Sequence, residues 1–267
     1  NLHGEGGGVS VLSDGQFNMY GGTITENKAA TGGGVNVADN AAVTIGGGSI
    51  INNNADTDGG GMTVENCQVT LSGTVTIADN KSAGETSSNL YIKGGKGVTI
   101  DSSFASGSQV VFKDRDDKYA GTDYITNADT LDNTKLRCFT TDAGRKFVRA
   151  GDENKVYVAT VLEDKPTAQN LIYNGEEQTG VNVPDGADTS YYTISGKTHA
   201  TQANAACGQA SYKAVVKLEP GYALYDRDTS TYYVADTPLN LYWRIEPKAA
   251  AASDFVVTDS TLTTTYD

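Results

Sequence analysis

The chain has 267 residues, with 33 acidic side chains against 20 basic ones and a net charge of −13 at pH 7. That balance disfavours nucleic acid and anionic membrane surfaces as partners, and the length accommodates one large or two ordinary domains. Abundant Gly, Thr, Asn and Asp beside 38% hydrophobic residues points away from helix bundles and towards all-β folds; no long segment has helical periodicity, and none is apolar enough over about 20 residues to span a membrane.

Asn1 already sits within a repeat, 26 residues before Asn27. The expectation is therefore that further natural sequence precedes it. The repeat itself is marked by glycine triplets. Gly6-Gly7-Gly8-Val9-Ser10-Val11 returns as Gly32-Gly33-Gly34-Val35-Asn36-Val37 and as Gly59-Gly60-Gly61-Met62-Thr63-Val64. A fixed period of this size signals a solenoid or array.

Each unit contains three alternating runs. In the second they are Val35-Asn36-Val37, Val43-Thr44-Ile45 and Ser49-Ile50-Ile51. Period-two alternation between Gly, Asn and Ser clusters reads as strands with one buried face. Three such strands make one coil of a parallel β-helix, and a coil buries its inner face only by stacking on others. The register then predicts inward columns Val9-Val35-Met62-Leu90, Phe17-Val43-Val69-Val98 and Ile24-Ile50-Ile77, with coils about 4.8 Å apart. A fourth, degenerate coil is legible in Leu90-Tyr91-Ile92 and Val98-Thr99-Ile100.

Asn27, Asn53 and Asn80 fall at one turn of successive units. Stacked Asn side chains hydrogen-bond along a column and tolerate left-handed backbone. The triplets Gly32, Gly33, Gly34 and Gly59, Gly60, Gly61 let the chain turn where a Cβ would clash. A phosphate cradle is the weaker alternative, because no helix pattern or Lys-Ser/Thr follows them.

From about Phe104 to Thr160 the triplets disappear, and short runs such as Val110-Val111-Phe112 and Val156-Tyr157-Val158 continue as strands. A solenoid end needs an atypical unit over its open core and sheet edge, so this stretch reads as a cap. Lys113 to Lys118 reads as a solvated charged loop; interleaved Lys and Arg leave no calcium-loop spacing. Glu163-Asp164-Lys165-Pro166 reads as a junction. Beyond it lie ten of the fifteen tyrosines, on short strands separated by turns, which suggests a small antiparallel sandwich over 161–250 with Trp243 in its core. Residues 251–267 read as a linker and the first strand of a further copy, because Leu262 to Asp267 echoes Asn170 to Asn174.

Leu171-Ile172-Tyr173-Asn174-Gly175, Tyr192-Thr193-Ile194-Ser195-Gly196, Ala206 to Val216 and Tyr242-Trp243-Arg244-Ile245-Glu246-Pro247-Lys248-Ala249 together resemble the MBG-type immunoglobulin-like domains of bacterial surface proteins. Cys207 and Gln209 depart from that family's usual turn. The glycine-triplet repeats resemble β-helix regions of large Firmicutes cell-surface proteins. The resemblance implies an extracellular, cell-surface or cell-wall-associated protein with adhesin character, and it carries no catalytic residues across.

Polysaccharide-cleaving β-helices need clustered Asp, Arg, Lys or His on the outer face. Here the outward positions are Ser10, Asn36, Thr63 and Tyr91 in one column and Asn18, Thr44, Thr70 and Thr99 in the next, none of them charged. Glu26 and Asp79 read as exposed turn carboxylates. His3 and His199 fall in different domains, and Cys67, Cys138 and Cys207 form neither a disulfide framework nor a zinc spacing. The sequence therefore reads as an all-β chain with no enzyme activity, cofactor or metal. It is expected to be a monomeric adhesin or stalk segment meeting a host or environmental glycan or protein. A carbohydrate-binding module pair is the alternative, and a polysaccharide-cleaving β-helix the remote one.

Overall fold

The computed structural model describes residues 4–83, 86–94, 97–115, 118–151, 155–172, 174–199 and 211–246. His3, Asp116, Asp117, Tyr173, Cys207, the Pro247-Lys248-Ala249 motif and the expected segment 251–267 lie outside the described residues. The fold is all-β, 52% strand and 6% helix, and its parallel strands stack into a β-solenoid of about five turns. No described helix is long and apolar enough to cross a membrane.

The first face is built from Val9–Val11, Val35–Val37, Met62–Glu65 and Leu90–Lys93, all parallel. Val9 is opposite Val35, Val35 opposite Met62, and Met62 opposite Leu90. The second column runs Phe17, Val43, Val69, Val98, and the third Ile24, Ile50, Ile77. Val35, Met62, Leu90 and Ile77 are fully shielded from water. Period two forces this result: once one residue of a strand faces inward, its second neighbours must follow.

Two of the three-run units are more continuous than the sequence suggests. Gln16–Thr25 and Ala42–Ile51 are single ten-residue strands, with register shifts around Tyr20. The corner between second and third runs is made inside the strand at Gly47 and Gly48, which have positive φ. In the third unit the same corner divides Gln68–Leu71 from Val75–Ala78. A fourth short strand, unforeseen, follows each Asn turn. Lys28–Ala29, Asn54–Ala55 and Lys81–Ser82 pair in parallel, and Thr86–Ser87 closes this small sheet antiparallel.

The solenoid also outlasts its glycine triplets. Gln109–Phe112 lies parallel to Val75–Ala78 and Phe139–Thr141, placing Val110 opposite Ile77 and Phe139. Ile125 bridges Val98. Here the core changes from aliphatic to aromatic. Phe104 stacks on Phe139 at 5.3 Å, Phe112 and Phe147 pack on Phe139 at 6.1 and 5.9 Å, and Phe112, Tyr124 and Phe147 meet one another at 5.5–5.7 Å. Edge-to-face pairs among these rings add to the stabilisation from their burial.

Parallel stacking ends at an antiparallel step. Lys146–Ala150 pairs antiparallel with Phe139–Thr141 and with Lys155–Leu162. The hairpin of Tyr222–Asp226 and Thr231–Tyr233 then continues this sheet, with Thr160 opposite Tyr222.

The chain divides into two compact units. The first takes in the residues up to Lys165 together with Asp188–Tyr192 and Lys217–Pro238; the second takes in Pro166–Ala187, Thr193–Val216 and the chain from Leu239. The range 161–250, read from sequence as one sandwich, is thus shared between both. In the second unit a four-stranded sheet runs in the order Leu171–Ile172, Leu239–Glu246, Ser211–Leu218, Tyr192–Ser195. Trp243 is buried in it, its ring 4.7 Å from that of Tyr212 and its indole N–H donating to the Gly196 carbonyl at 3.3 Å.

Candidate functional site

The turn asparagines form a continuous ladder. Asn27 Nδ2 donates to Asn53 Oδ1 at 3.0 Å, and Asn53 Nδ2 to Asn80 Oδ1 at 3.0 Å. Each oxygen also accepts the backbone N–H of the neighbouring asparagine. Asn53 and Asn80 are almost fully buried. The left-handed residues are one step earlier than the ladder: Glu26, Asn52 and Asp79 have φ of 59°, 55° and 58°. Glu26 and Asp79 are exposed there. The ladder has a further rung that its repeat spacing conceals. Asn89 Oδ1 accepts from the Asn80 backbone N–H at 2.8 Å, although it follows Asn80 by nine residues.

The triplet glycines have separate tasks. Gly32 and Gly59 adopt left-handed φ of 61° and 67°. A Cβ on Gly33 would collide with the Asn54 carbonyl, and one on Gly60 with the Lys81 carbonyl of the adjoining coil. A Cβ on Gly34 would lie 3.0 Å from Asn53 Nδ2, and one on Gly61 2.6 Å from Asn80 Nδ2. Glycine there keeps the coils close and leaves room for the ladder.

The two outward columns differ. Asn18 is exposed and Thr44, Thr70 and Thr99 are half-exposed, in register along one face. The Thr99 hydroxyl is 2.7 Å from that of Thr126 and accepts from Gln68 Nε2. The other column, expected to be open, is covered at its middle: Asn36 is 4% and Thr63 1% exposed, while Ser10 is exposed and Tyr91 half-exposed. The triplet loops fold over it. Thr63 Oγ1 donates to the Asp58 carbonyl, and Asn36 Nδ2 to Glu5 Oε2.

The charged stretch at Lys113 is likewise not a simple solvated loop. Its described residues Asp114, Arg115 and Lys118 contact Arg145, which is 6% exposed. Arg145 donates to Asp114 Oδ1, to the carbonyls of Arg115 and Lys118, and to Tyr124 Oη. A guanidinium presents five donors in a planar fork, so this arrangement satisfies a charge that burial would otherwise penalise. Lys113 Nζ lies 3.7 Å from both Asp58 and Asp142. Burial pushes the Asp142 carboxyl above the usual carboxylate range, and pushes the Tyr124 phenol up to about 12. The sequence shows alternating charges here but gives no hint that Arg145, thirty-one residues from Asp114, is buried among them. Cys67 and Cys138 are buried, and burial raises the Cys138 thiol. Among the described residues no three His, Cys, Asp or Glu side chains converge to hold a metal ion.

The first unit carries a groove and two adjoining recesses. A groove of about 380 Å³ is lined by Arg137, Arg149, Phe147, Tyr225, Ser230 and Tyr232, among others. Arg149 is tied to the carbonyls of Asp129 and Leu131. A recess of about 240 Å³ is lined by Tyr119, Tyr157, Tyr222, Pro220, Gly221 and Asp236, among others. It shares Tyr119, Pro220, Gly221 and Tyr222 with an adjoining recess of about 230 Å³. These tyrosines are half-buried. They come from the cap and from the 220–236 segment, which the sequence assigns to different domains. Set against known protein families, curated proteins and solved structures, the chain matches none of them.

Proposed function

We propose that the chain is a non-catalytic segment of an extracellular adhesin or stalk, displayed at a cell surface or cell wall, with its second unit part of an immunoglobulin-like domain. The observation that carries this reading is the unbroken register of the stacked coils, from Val9 through Leu90 and from Phe17 through Val98. Successive coils from Val9 to Leu90 are joined by parallel strand pairing, and those carrying Asn27, Asn53 and Asn80 also by the asparagine ladder. Such a stack resists deformation because many bonds share a load, and its outer residues can vary without disturbing the core.

The Thr and Asn row on the outer face supplies donors and acceptors that suit contact with polar surfaces. The polysaccharide-cleaving alternative would draw on the cap charges. There Arg145 is committed to Asp114, Tyr124 and two carbonyls, which suits a structural role.

The reading is tested in two ways. Antibodies raised against the chain should label intact cells that carry the protein, without permeabilisation. Incubation with pectin, alginate, hyaluronan and mucin glycans, with and without calcium, should yield no cleavage product. Labelling only after permeabilisation would remove the surface assignment. Product formation abolished by an Asp114 or Arg145 substitution would replace it with the enzymatic reading.

A further inference from the structure

We infer that the tyrosine-lined recess at Tyr119, Tyr157 and Tyr222 is a binding site for a neutral pyranose saccharide; this rests on the reading of the chain as a non-catalytic, ligand-contacting segment and names its ligand class. Three half-exposed rings are each held by a neighbouring side chain. Tyr222 stacks on Tyr191 with centroids 3.9 Å apart and planes at 13°. Tyr119 has the buried Arg145 guanidinium 5.4 Å from its centroid. Tyr157 is held through its hydroxyl, 3.3 Å from Asp236 Oδ2.

Aromatic faces that are partly wet and already immobilised lose little conformational entropy when a ligand covers them. The backbone beneath is equally fixed. Val158 N–H donates to the Tyr119 carbonyl at 2.7 Å, and Thr160 N–H to that of Gly221 at 2.8 Å. Gly221 has φ of 86°, and a Cβ there would lie 2.6 Å from the Tyr119 ring. Glycine at this position leaves the ring its place in the wall.

Size and polarity select the ligand. At about 240 Å³ the recess is smaller than the roughly 300 Å³ of sites for drug-sized ligands, which suits a single ring. A pyranose has an apolar C–H face for a tyrosine ring and hydroxyl donors around its edge. Asp236, exposed at the wall, offers carboxylate oxygens that accept such donors. A proline-rich peptide also fits aromatic grooves, but proline has no N–H and offers mainly carbonyl acceptors, which a carboxylate cannot satisfy. Uronates and sialylated sugars would bring a carboxylate beside Asp236 in a chain that already carries −13, so the neutral sugar is favoured.

The test uses the full chain on an array of neutral mono- and disaccharides (glucose, galactose, mannose and N-acetylglucosamine units), acidic glycans and a proline-rich peptide, followed by calorimetric titration of the strongest hit. A neutral saccharide should bind. Asp236→Ala and Tyr157→Phe should each weaken it by about tenfold, the scale of one lost polar contact, with unchanged melting temperature. Tyr222→Ala should weaken it at least as much. Because Tyr222 also packs on Tyr191, the surface variant Asp236→Ala decides the matter if Tyr222→Ala fails to fold. Absence of saccharide binding, peptide binding alone, or saccharide binding indifferent to Asp236→Ala and Tyr157→Phe would overturn the site. Binding followed by hydrolysis of the same saccharide would leave the site standing and overturn the non-catalytic reading instead.

Discussion

At the scale of single residues, the molecule depends on polar side chains whose value lies in being fully paired. Asn53 is the clearest case. Its Nδ2 donates to Asn80 Oδ1 and to the carbonyls of Ile51 and Ile24, while its oxygen takes both Asn27 donors. Asn53→Ala should cost about 3 kcal/mol, because it leaves several buried groups unpaired. Asn27→Ala, at the wetter end of the ladder, should cost about 1 kcal/mol. Urea unfolding of the two variants checks this order. Asp142 behaves oppositely to a paired carboxylate. Burial raises its folded pKa, so the native state holds a proton to higher pH than the unfolded chain does. Its contribution is present at low pH and is lost as pH rises through the folded value. Relative to Asp142→Asn, the wild type should gain stability as pH falls from neutral and level off below about 3.8. A denaturation series across pH at fixed salt measures that difference. The ladder was legible in the sequence from Asn27, Asn53 and Asn80, since a turn recurs once per coil. Asn89 was not, because the coil that carries it abandons the period.

At the scale of elements, the inward columns were readable because alternation and repeat length agree. Val35, Met62 and Leu90 had to face one way once their strands paired in register. What the alternation could not show was the fate of the outward positions. Asn36 and Thr63 look like surface residues by pattern, yet loops that share no period-two signal fold over them. The continuation past Phe104 was hidden for a related reason. Its strands lack the glycine triplets, and aromatic packing around Phe112 and Phe139 replaces regular spacing. The cap's fixed point is the buried Arg145 paired with the half-buried Asp114, 2.7 Å apart. Removing one partner strands the other, so Arg145→Met should destabilise the chain by about 3–5 kcal/mol. Adding Asp114→Leu should recover part of that loss, because the uncompensated carboxylate disappears. Thermal unfolding of the single and double variants gives the coupling directly. Equal losses in both would mean that the Tyr124 and carbonyl contacts of Arg145 matter more than its pairing.

At the scale of the whole molecule, the sequence gives the fold class and the solenoid, while the distribution of its later strands comes from tertiary pairing. Tyr222–Asp226 and Thr231–Tyr233 read like other strands of the tyrosine-rich region, but they pair with Lys155–Leu162 and Lys146–Ala150 of the cap. No local feature of Tyr222 or Tyr232 announces that partner. For the same reason the tyrosine-lined recess could not be found in the sequence, since Tyr119 and Tyr222 are 103 positions apart. The central claim is that successive repeats stack as coils in register, and engineered cross-linking tests it most directly. Thr44 is opposite Thr70, and Thr70 opposite Thr99, on the accessible face. With Cys67, Cys138 and Cys207 replaced by serine, Thr44→Cys with Thr70→Cys should form an intramolecular disulfide on mild oxidation, since paired strands lie about 4.8 Å apart. Thr44→Cys with Thr99→Cys should not, because two coil steps, about 9.6 Å, exceed the reach of the bond. Efficient cross-linking of the second pair, or none of the first in a folded chain, would contradict the stacked solenoid.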